Sequence, residues 1–385
     1  MLKSPLVPIF LIVSVDVLGL TIILPLLPFY SEKLGASPAV VGLLVSTYAF
    51  CQLIAGPMLG RLSDRTGRKP LLLVSQFGTF IGFLILAYSH TLWLVFLSRI
   101  IDGLTAGNLS LAQAYISDVT KPEERAKSFA LIGIAFGMGF LIGPGISGYL
   151  SQFSYQYPIF AAAGLSAASI LSTYFLLPST TPAAADDATP RKFTVFDWSN
   201  YLRYFREPAL APLLWQFFAF TLAFSMFMSG FPLFAERRFV WHTRPFGPKE
   251  VGYTYAYIGM LGVILQGGLI GRLVKAVGEL TLVRAGFLFA AIGMAAFGFT
   301  YGIPALLVVS AVTSAGMGVI RPALTSLITQ KAPRSDQGVV LGLTQSLASI
   351  SSIVSPAIAG LLIDHSLLAA WALLAAAISS AALFL

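Results

Sequence analysis

The feature that most constrains this chain is a succession of long apolar runs, each about the 20 residues that a helix needs to cross a hydrocarbon layer. They predict twelve spanning helices, near residues 6–29, 41–62, 71–88, 92–116, 127–150, 158–177, 209–234, 250–271, 281–300, 303–329, 337–361 and 367–385. Charge content points the same way. Only 10% of the 385 residues are charged, against about 25% in soluble proteins. So few charges cannot wet the surface of a fold this size, and the surplus apolar surface must face lipid. The expected fold class is therefore an all-α membrane protein of twelve transmembrane helices. The first run is too long for a signal peptide and has no small-residue cleavage site. The last reaches Leu385 without a polar end, so a short polar tail is expected to follow it.

An even helix number puts both termini on one side of the membrane, and the basic residues say which. Loops on the terminal side carry 17 Lys and Arg, the opposite loops carry 5, and Arg99 and Arg321 fall within spans. Basic loops stay in the cytoplasm, so both termini are expected there, in a multi-pass protein of the inner (plasma) membrane. The net charge of +8 thus reads as topology, with lipid as a partner and nucleic acid excluded. Cys51 is the single cysteine and lies in an apolar run, which excludes a disulfide framework. His90, His242 and His365 sit near segment ends, and no metal site or cofactor is expected. No nucleophile motif and no Gly-x4-Gly-Lys-Ser/Thr loop occurs, which argues against an enzyme or an ATP-driven pump. A monomer is expected.

The longest polar stretch, Pro178 to Pro208, divides the spans six and six. Three parts follow: a six-helix bundle over 1–177, a cytoplasmic linker over 178–208, and a second six-helix bundle over 209–385. The linker begins as a flexible Pro/Ser/Thr/Ala segment. It then places Phe193, Phe196, Tyr201, Tyr204 and Phe205 among Asp197, Arg203 and Arg206, the pattern of a short amphipathic helix on the inner leaflet. The two halves repeat each other. Gly60-Arg61-Leu62 recurs as Gly271-Arg272-Leu273 and Pro122 as Pro333, 211 residues later. Pro144 and Gly148 recur as Pro356 and Gly360 at 212, and Pro38-x-x-Val41-Gly42 as Pro248-x-x-Val251-Gly252 at 210. Two six-helix repeats imply a pseudo-two-fold axis along the membrane normal, the architecture of a secondary transporter.

Ionisable residues inside spans are costly, so a functional use is the default reading. Asp16 sits well inside the first span, ahead of Pro25 and Pro28, and a carboxyl group can carry a proton. Arg99 and Asp102 lie three apart on one face of the fourth span, either neutralising each other or serving the same proton path. Arg321, followed by Pro322, has no acid within a turn and calls for a partner or an anionic substrate. Candidates for a substrate cavity are Tyr48 and Gln52, Asn108 and Gln113, Phe224 and Phe227, Tyr253 and Tyr257, Arg321 and Gln345. Aromatic and amide walls suit small amphipathic organic molecules.

Two motifs make a resemblance specific. The loop Gly60-Arg61-Leu62-Ser63-Asp64-Arg65-Thr66-Gly67-Arg68-Lys69 resembles the signature loop of the Major Facilitator Superfamily at every expected position. The resemblance implies that Gly60, Asp64, Arg65, Gly67, Arg68 and Lys69 form a gating motif, with Asp64 meeting helix 11 and holding the cytoplasmic side shut. In the second half Lys275 and Glu279 replace Asp64 and Arg68, so only the first loop is expected to latch strongly. The fifth span, with Gly133, Gly137, Gly139, Gly143-Pro144-Gly145 and Ser147-Gly148, resembles the glycine-proline motif of the twelve-helix drug/proton antiporters. Arg99-x-x-x-Gly103 and Asp16 also match that group. Leu233-Phe-Ala-Glu236-Arg237-Arg238, Arg321-Pro322-Ala-Leu and Asp336-Gln337-Gly338-x-x-x-Gly342 narrow the likeness to the tetracycline/proton antiporters over essentially the whole chain.

That resemblance implies proton-coupled export of small organic compounds or drugs by alternating access, with the proton gradient as energy source and a role in antibiotic resistance. Asp16, Arg99 and Asp102 would couple the proton, and Gly139, Gly143, Pro144 and Gly148 would form the antiporter motif. Two positions depart. Where those antiporters carry acids in helices 3 and 9, this chain has Gly82 and Ala290, which sets tetracycline itself apart as the substrate. The alternative expectation is a proton-linked carrier of organic anions that uses Arg321.

Overall fold

A computed structural model describes residues 6–120, 125–178, 203–333 and 336–385. In chain order the helices are α1 (Leu6–Ile23), α2 (Leu27–Lys33), α3 (Pro38–Thr66), α4 (Arg68–Ala87), α5 (Leu92–Thr105), α6 (Asn108–Val119), α7 (Arg125–Ser151) and α8 (Gln156–Leu176). After the linker come α9 (Ala211–Arg238), α10 (Pro248–Ile264), a π-helical turn (Leu265–Leu269), α11 (Ile270–Val277), α12 (Glu279–Phe297), α13 (Ile303–Lys331), α14 (Gln337–Asp364) and α15 (Leu368–Ala381). Among the described residues, eleven helical stretches are long and apolar enough to cross a membrane, and the twelfth run forms a shorter apolar helix, Leu368–Phe384. A two-residue hairpin, Val240–Trp241 against Arg244–Pro245, joins α9 to α10.

Two expected spans are broken. The first ends at Ile23 and restarts at Leu27, because Pro25 and Pro28 each remove a backbone N–H from the ladder. The fourth stops at Thr105 and resumes at Asn108 without any proline. Its freed groups are met by one side chain of α4: the Ser75 hydroxyl donates to the Thr105 carbonyl and accepts from the Gly107 N–H at 2.9 Å. Irregular backbone at membrane depth survives only where such partners exist.

The helices cluster into two compact units. The first comprises 1–35, 47–192 and 248–256. Its core sets Ile9, Ile12, Val13 and Val17 of α1 against Leu72 of α4, Leu111 and Tyr115 of α6, and Ala135 of α7. The second comprises 36–46, 193–247 and 257–385. There Phe227, Phe231 and Phe234 of α9 gather around Phe297 and Trp371, and Gly230 makes room for the Trp371 ring. The indole N–H donates to the Met226 carbonyl at 3.3 Å.

The first turns of α3 and α10 thus cluster away from the rest of their own helices, and duplicated sequence explains how. A Cβ on Gly42 would collide with the Pro356 carbonyl, and one on Gly360 with the Pro38 carbonyl. The Ser46 hydroxyl closes this contact on the Ile353 carbonyl at 2.6 Å. In the other unit a Cβ on Gly252 would collide with the Pro144 carbonyl, and one on Gly148 would lie 2.8 Å from the Lys249 carbonyl. The two repeated Pro-Gly motifs therefore pack crosswise on each other, once in each unit, with backbone meeting backbone.

Of the amphipathic segment expected over the linker, Phe193, Phe196, Asp197 and Tyr201 lie outside the described residues. Its end is docked. Tyr204 is 5% exposed and gives its hydroxyl to Asp336 at 3.1 Å, while Phe205 lies against Trp215. Burial, and then the Asp336 carboxylate, push the Tyr204 phenol up from its ordinary value.

Candidate functional site

The first unit sets its intramembrane charged residues, Asp16 of α1 and Arg99 and Asp102 of α5, beside polar side chains of α4 and α8. Asp16 is partly exposed as a residue, yet its Oδ2 is sealed and has no hydrogen-bond partner among the described residues. The carboxyl group lies within hydrogen-bonding reach of Ser169 of α8 and Gln76 of α4, both fully buried. Gln76 Nε2 in turn donates to Ser169 Oγ at 2.8 Å. Asp102 of α5 lies within electrostatic reach of Asp16 and within hydrogen-bonding reach of Thr79 of α4.

Arg99 and Asp102 do meet, NH1 to Oδ2 at 3.2 Å, each 4% exposed. The guanidinium also lies over the Phe83 ring and touches Ser98 Oγ, but its NH2 has no partner among the described residues. One helical turn on, Gly103 lets α3 approach. A side chain there would meet Cys51 Cβ at 2.7 Å and the Tyr48 carbonyl at 2.8 Å. The glycine thereby brings Tyr48 into electrostatic reach of the ion pair. Gln52 Nε2 donates to the Tyr48 hydroxyl at 3.3 Å, so these two share a face.

Glycines of α7 press α1 into place. A Cβ at Gly139 would meet the Val17 side chain at 2.5 Å, and one at Gly143 would collide with Thr21. Thr21 Oγ1 donates to the Gly139 carbonyl at 2.9 Å. Val17 adjoins Asp16 and Thr21 lies five residues on, so the glycine-proline motif sets the depth and rotation of the helix that carries the carboxyl. Gly82 has a similar packing reason. A Cβ there would already lie 3.0 Å from Asp102 Cβ and 3.1 Å from the Ser98 carbonyl, which leaves no space for an acid. Ala290 is equally packed, at 1% exposure.

At the loop between α3 and α4, Gly67 takes φ of 94°, a conformation open to glycine, and turns the chain sharply. Arg68 then gathers three partners: Asp64, Asp118 at 2.8 Å, and Ser63 Oγ at 2.6 Å. Lys69 donates to the Tyr174 carbonyl at 2.8 Å. Gly60 receives the Ser63 hydroxyl on its carbonyl, and Arg65 is exposed. Sequence reasoning missed Asp118, a lone acid at the end of α6. The second copy is not idle either. Glu279, at the position matching Arg68, accepts from Ser326 Oγ at 2.6 Å and Gln330 Nε2 at 2.8 Å, tying α12 to α13 with neutral donors where the first half uses an ion pair. Arg68→Ala should lower stability by about 1–3 kcal/mol, because two acids lose their donor together. Asp64→Asn should cost under about 1 kcal/mol, since the Asp64 side chain is 59% exposed. Thermal unfolding of the two variants in one detergent checks that order.

The remaining cavity candidates divide. Asn108 begins α6 with its Oδ1 buried and unpartnered among the described residues, while Gln113 and Gln345 are exposed. Phe224 is half-buried and stacks on Phe220. Phe227, expected beside it as a wall, is corrected: at 2% exposure it is closed among Phe231, Phe297 and Trp371 and is a packing residue. Tyr253 is exposed and Tyr257 half-buried; they belong to different units.

Arg321 is exposed, and its guanidinium has no hydrogen-bond or ion-pair partner among the described residues. The carbonyl freed by Pro322 is engaged elsewhere. That carbonyl belongs to Gly318 and accepts from Gln266 Nε2, in the π-helical turn, at 3.3 Å.

Comparison with known proteins places this arrangement. The Major Facilitator Superfamily model matches residues 9–356 and 267–385. Tetracycline resistance protein, class B, of Escherichia coli is 31% identical over 366 residues, covering 92% of this chain and 88% of that protein. The class H protein of Pasteurella multocida is 32% identical, covering 95% and 90%. Quinolone resistance protein NorA of Staphylococcus aureus is 26% identical, covering 90% and 87%. Among solved structures, the nucleoside transporter NupG superposes with a TM-score of 0.77 at 15% identity over 99% of this chain and 98% of that one. The human organic anion transporter MFSD10 does so with 0.73 at 22% identity over 98% of both. These structures share the fold, and the family and its relatives are transporters, not enzymes. With eleven membrane-length helices, a family match spanning almost all of the sequence and relatives above 30% identity, this multi-pass membrane protein belongs to the Major Facilitator Superfamily.

Proposed function

We propose that the protein is a proton-coupled antiporter of the inner membrane, with both termini cytoplasmic, that exports small amphipathic organic compounds by alternating access of its two six-helix halves, 1–177 and 209–385. The observation that carries this reading is the Asp16 carboxyl: an acid at mid-span, partly exposed, with one oxygen sealed among neutral polar groups. Such a group holds a proton in one state and releases it in another. Relatives named for tetracycline and quinolone resistance support drug-like substrates. Gly82 and Ala290 argue that tetracycline is not the preferred one. Arg99 and Asp102 tune the proton site, and Asp64 belongs to the cytoplasmic gate. The energy source is the proton gradient, with no cofactor, and the protein acts as a monomer.

The test is transport in proteoliposomes with cationic, neutral and anionic compounds, with and without a pH gradient. Uphill movement of any compound that collapses with the gradient supports the proposal. Movement indifferent to the gradient for every compound overturns it. For the gate, Asp64→Asn should raise the accessibility of engineered cysteines on the fourth, fifth, tenth and eleventh spans (α5–α6, α7, α13 and α14) from the cytoplasmic side. Unchanged labelling would remove Asp64 from that role.

A second reading, a proton-linked carrier of organic anions, rests on the exposed guanidinium of Arg321, unpaired among the described residues. Arginine stays charged in any such setting. Under this reading Arg321→Ala abolishes binding of anionic compounds and spares protein abundance. Unchanged anion affinity in that variant returns the decision to cationic or neutral export.

A further inference from the structure

We infer that the Gln76 side chain is the second half of the proton site, an amide that serves Asp16 in both of its protonation states. The inference rests on the reading of Asp16 as proton carrier. Gln76 is 0% exposed and is gripped from α8 at two levels. Its Nε2 donates to Ser169 Oγ at 2.8 Å, and its backbone carbonyl accepts from Ser166 Oγ at 3.2 Å. The Asp16 carboxyl lies within hydrogen-bonding reach of both Gln76 and Ser169. Yet two acceptors in this cluster, Asp16 Oδ2 and Gln76 Oε1, are buried without a donor among the described residues. Buried polar atoms are nearly always paired, so two orphans on residues this near each other need an explanation.

A proton on Asp16 supplies the missing donor. In the charged state the carboxylate takes an N–H from Gln76 and the hydroxyl of Ser169. In the neutral state the acid has an O–H to give, and the amide can turn over and present Oε1 to it. The terminal torsion of glutamine is two-fold, so both orientations fit one cavity. Ser169 adapts to either, because a hydroxyl both donates and accepts. An apolar residue at 76 could serve neither state.

The other ionisable groups near Asp16 are few. Asp102 of α5 lies within electrostatic reach and is itself paired with Arg99. Tyr115 of α6 sends its hydroxyl to the Pro178 carbonyl. Among the described side chains, α7 and α8 bring no acid or basic residue against Asp16.

The test is an infrared pH titration of the full chain in liposomes. It follows the carboxylic-acid C=O stretch that is lost in Asp16→Asn. Gln76→Met, close in volume, should displace the midpoint of that band by at least about a three-fold change in proton concentration. It should also move the band frequency, since the carboxyl loses a hydrogen bond. Should Gln76→Met fail to fold, Ser169→Ala unanchors the amide and should displace the same band. A band that titrates in the wild type but is indifferent to these changes overturns the role of Gln76 alone. A wild-type band that never titrates overturns Asp16 as proton carrier, and the inference falls with it.

Discussion

Asp16→Asn is expected to abolish pH-gradient-driven accumulation of substrate while leaving a folded protein. Asparagine has the shape of aspartic acid and can still be satisfied by Gln76 and Ser169, so the packing of α1 against α7 and α8 should survive. What it lacks is an exchangeable proton. Loss of uphill transport should be at least about ten-fold, the factor that corresponds to 1.4 kcal/mol of lost coupling. Downhill exchange of the same compound should persist, because the substrate path is not removed. Both are measured in proteoliposomes. If the variant still concentrates substrate with wild-type pH dependence, Asp16 is not the coupling residue.

The next largest effect is expected at Arg99. Arg99→Ala should destabilise the protein by about 3–5 kcal/mol, since it strips the partner from a buried acid. Asp102 is 4% exposed and would keep only Thr79 as a named donor. The double variant Arg99→Ala/Asp102→Ala should recover part of that loss, because no charge is then stranded. Unfolding in mixed micelles gives both numbers. If the double variant is no better than Arg99→Ala alone, the role of Arg99 lies in its packing over Phe83 and not in the charge.

These two predictions concern residues that stand out in the sequence, and the reason is physical. Lipid penalises each ionisable side chain separately, so Asp16, Arg99, Asp102 and Arg321 are conspicuous in apolar runs without any knowledge of their neighbours. The Arg99–Asp102 contact was also legible, because three residues apart on a helix is a local distance. Gln76 and Ser169 were not. A lone amide and one serine among many carry little penalty, and they lie 93 residues apart. Asp118 was missed for the same reason, lying 50 residues from Arg68.

The number of apolar runs, their approximate limits, the division near 178–208 and the internal duplication follow from the amino-acid sequence alone. Each is a property of residues taken one at a time or along a single helix, and transfer to lipid acts at that level. Tertiary structure decided which faces meet. The same Pro-Gly repeats that reveal the duplication also pack on each other crosswise, some 105 residues from their partners in one unit and over 300 in the other. Phe224 and Phe227 read alike in sequence, yet only Phe227 is closed into the aromatic core. The break at Thr105–Asn108 depends on a serine from a neighbouring helix. Rotation of a helix about its axis and the close approach that glycine permits depend on steric fit to other helices, and no local pattern encodes that fit.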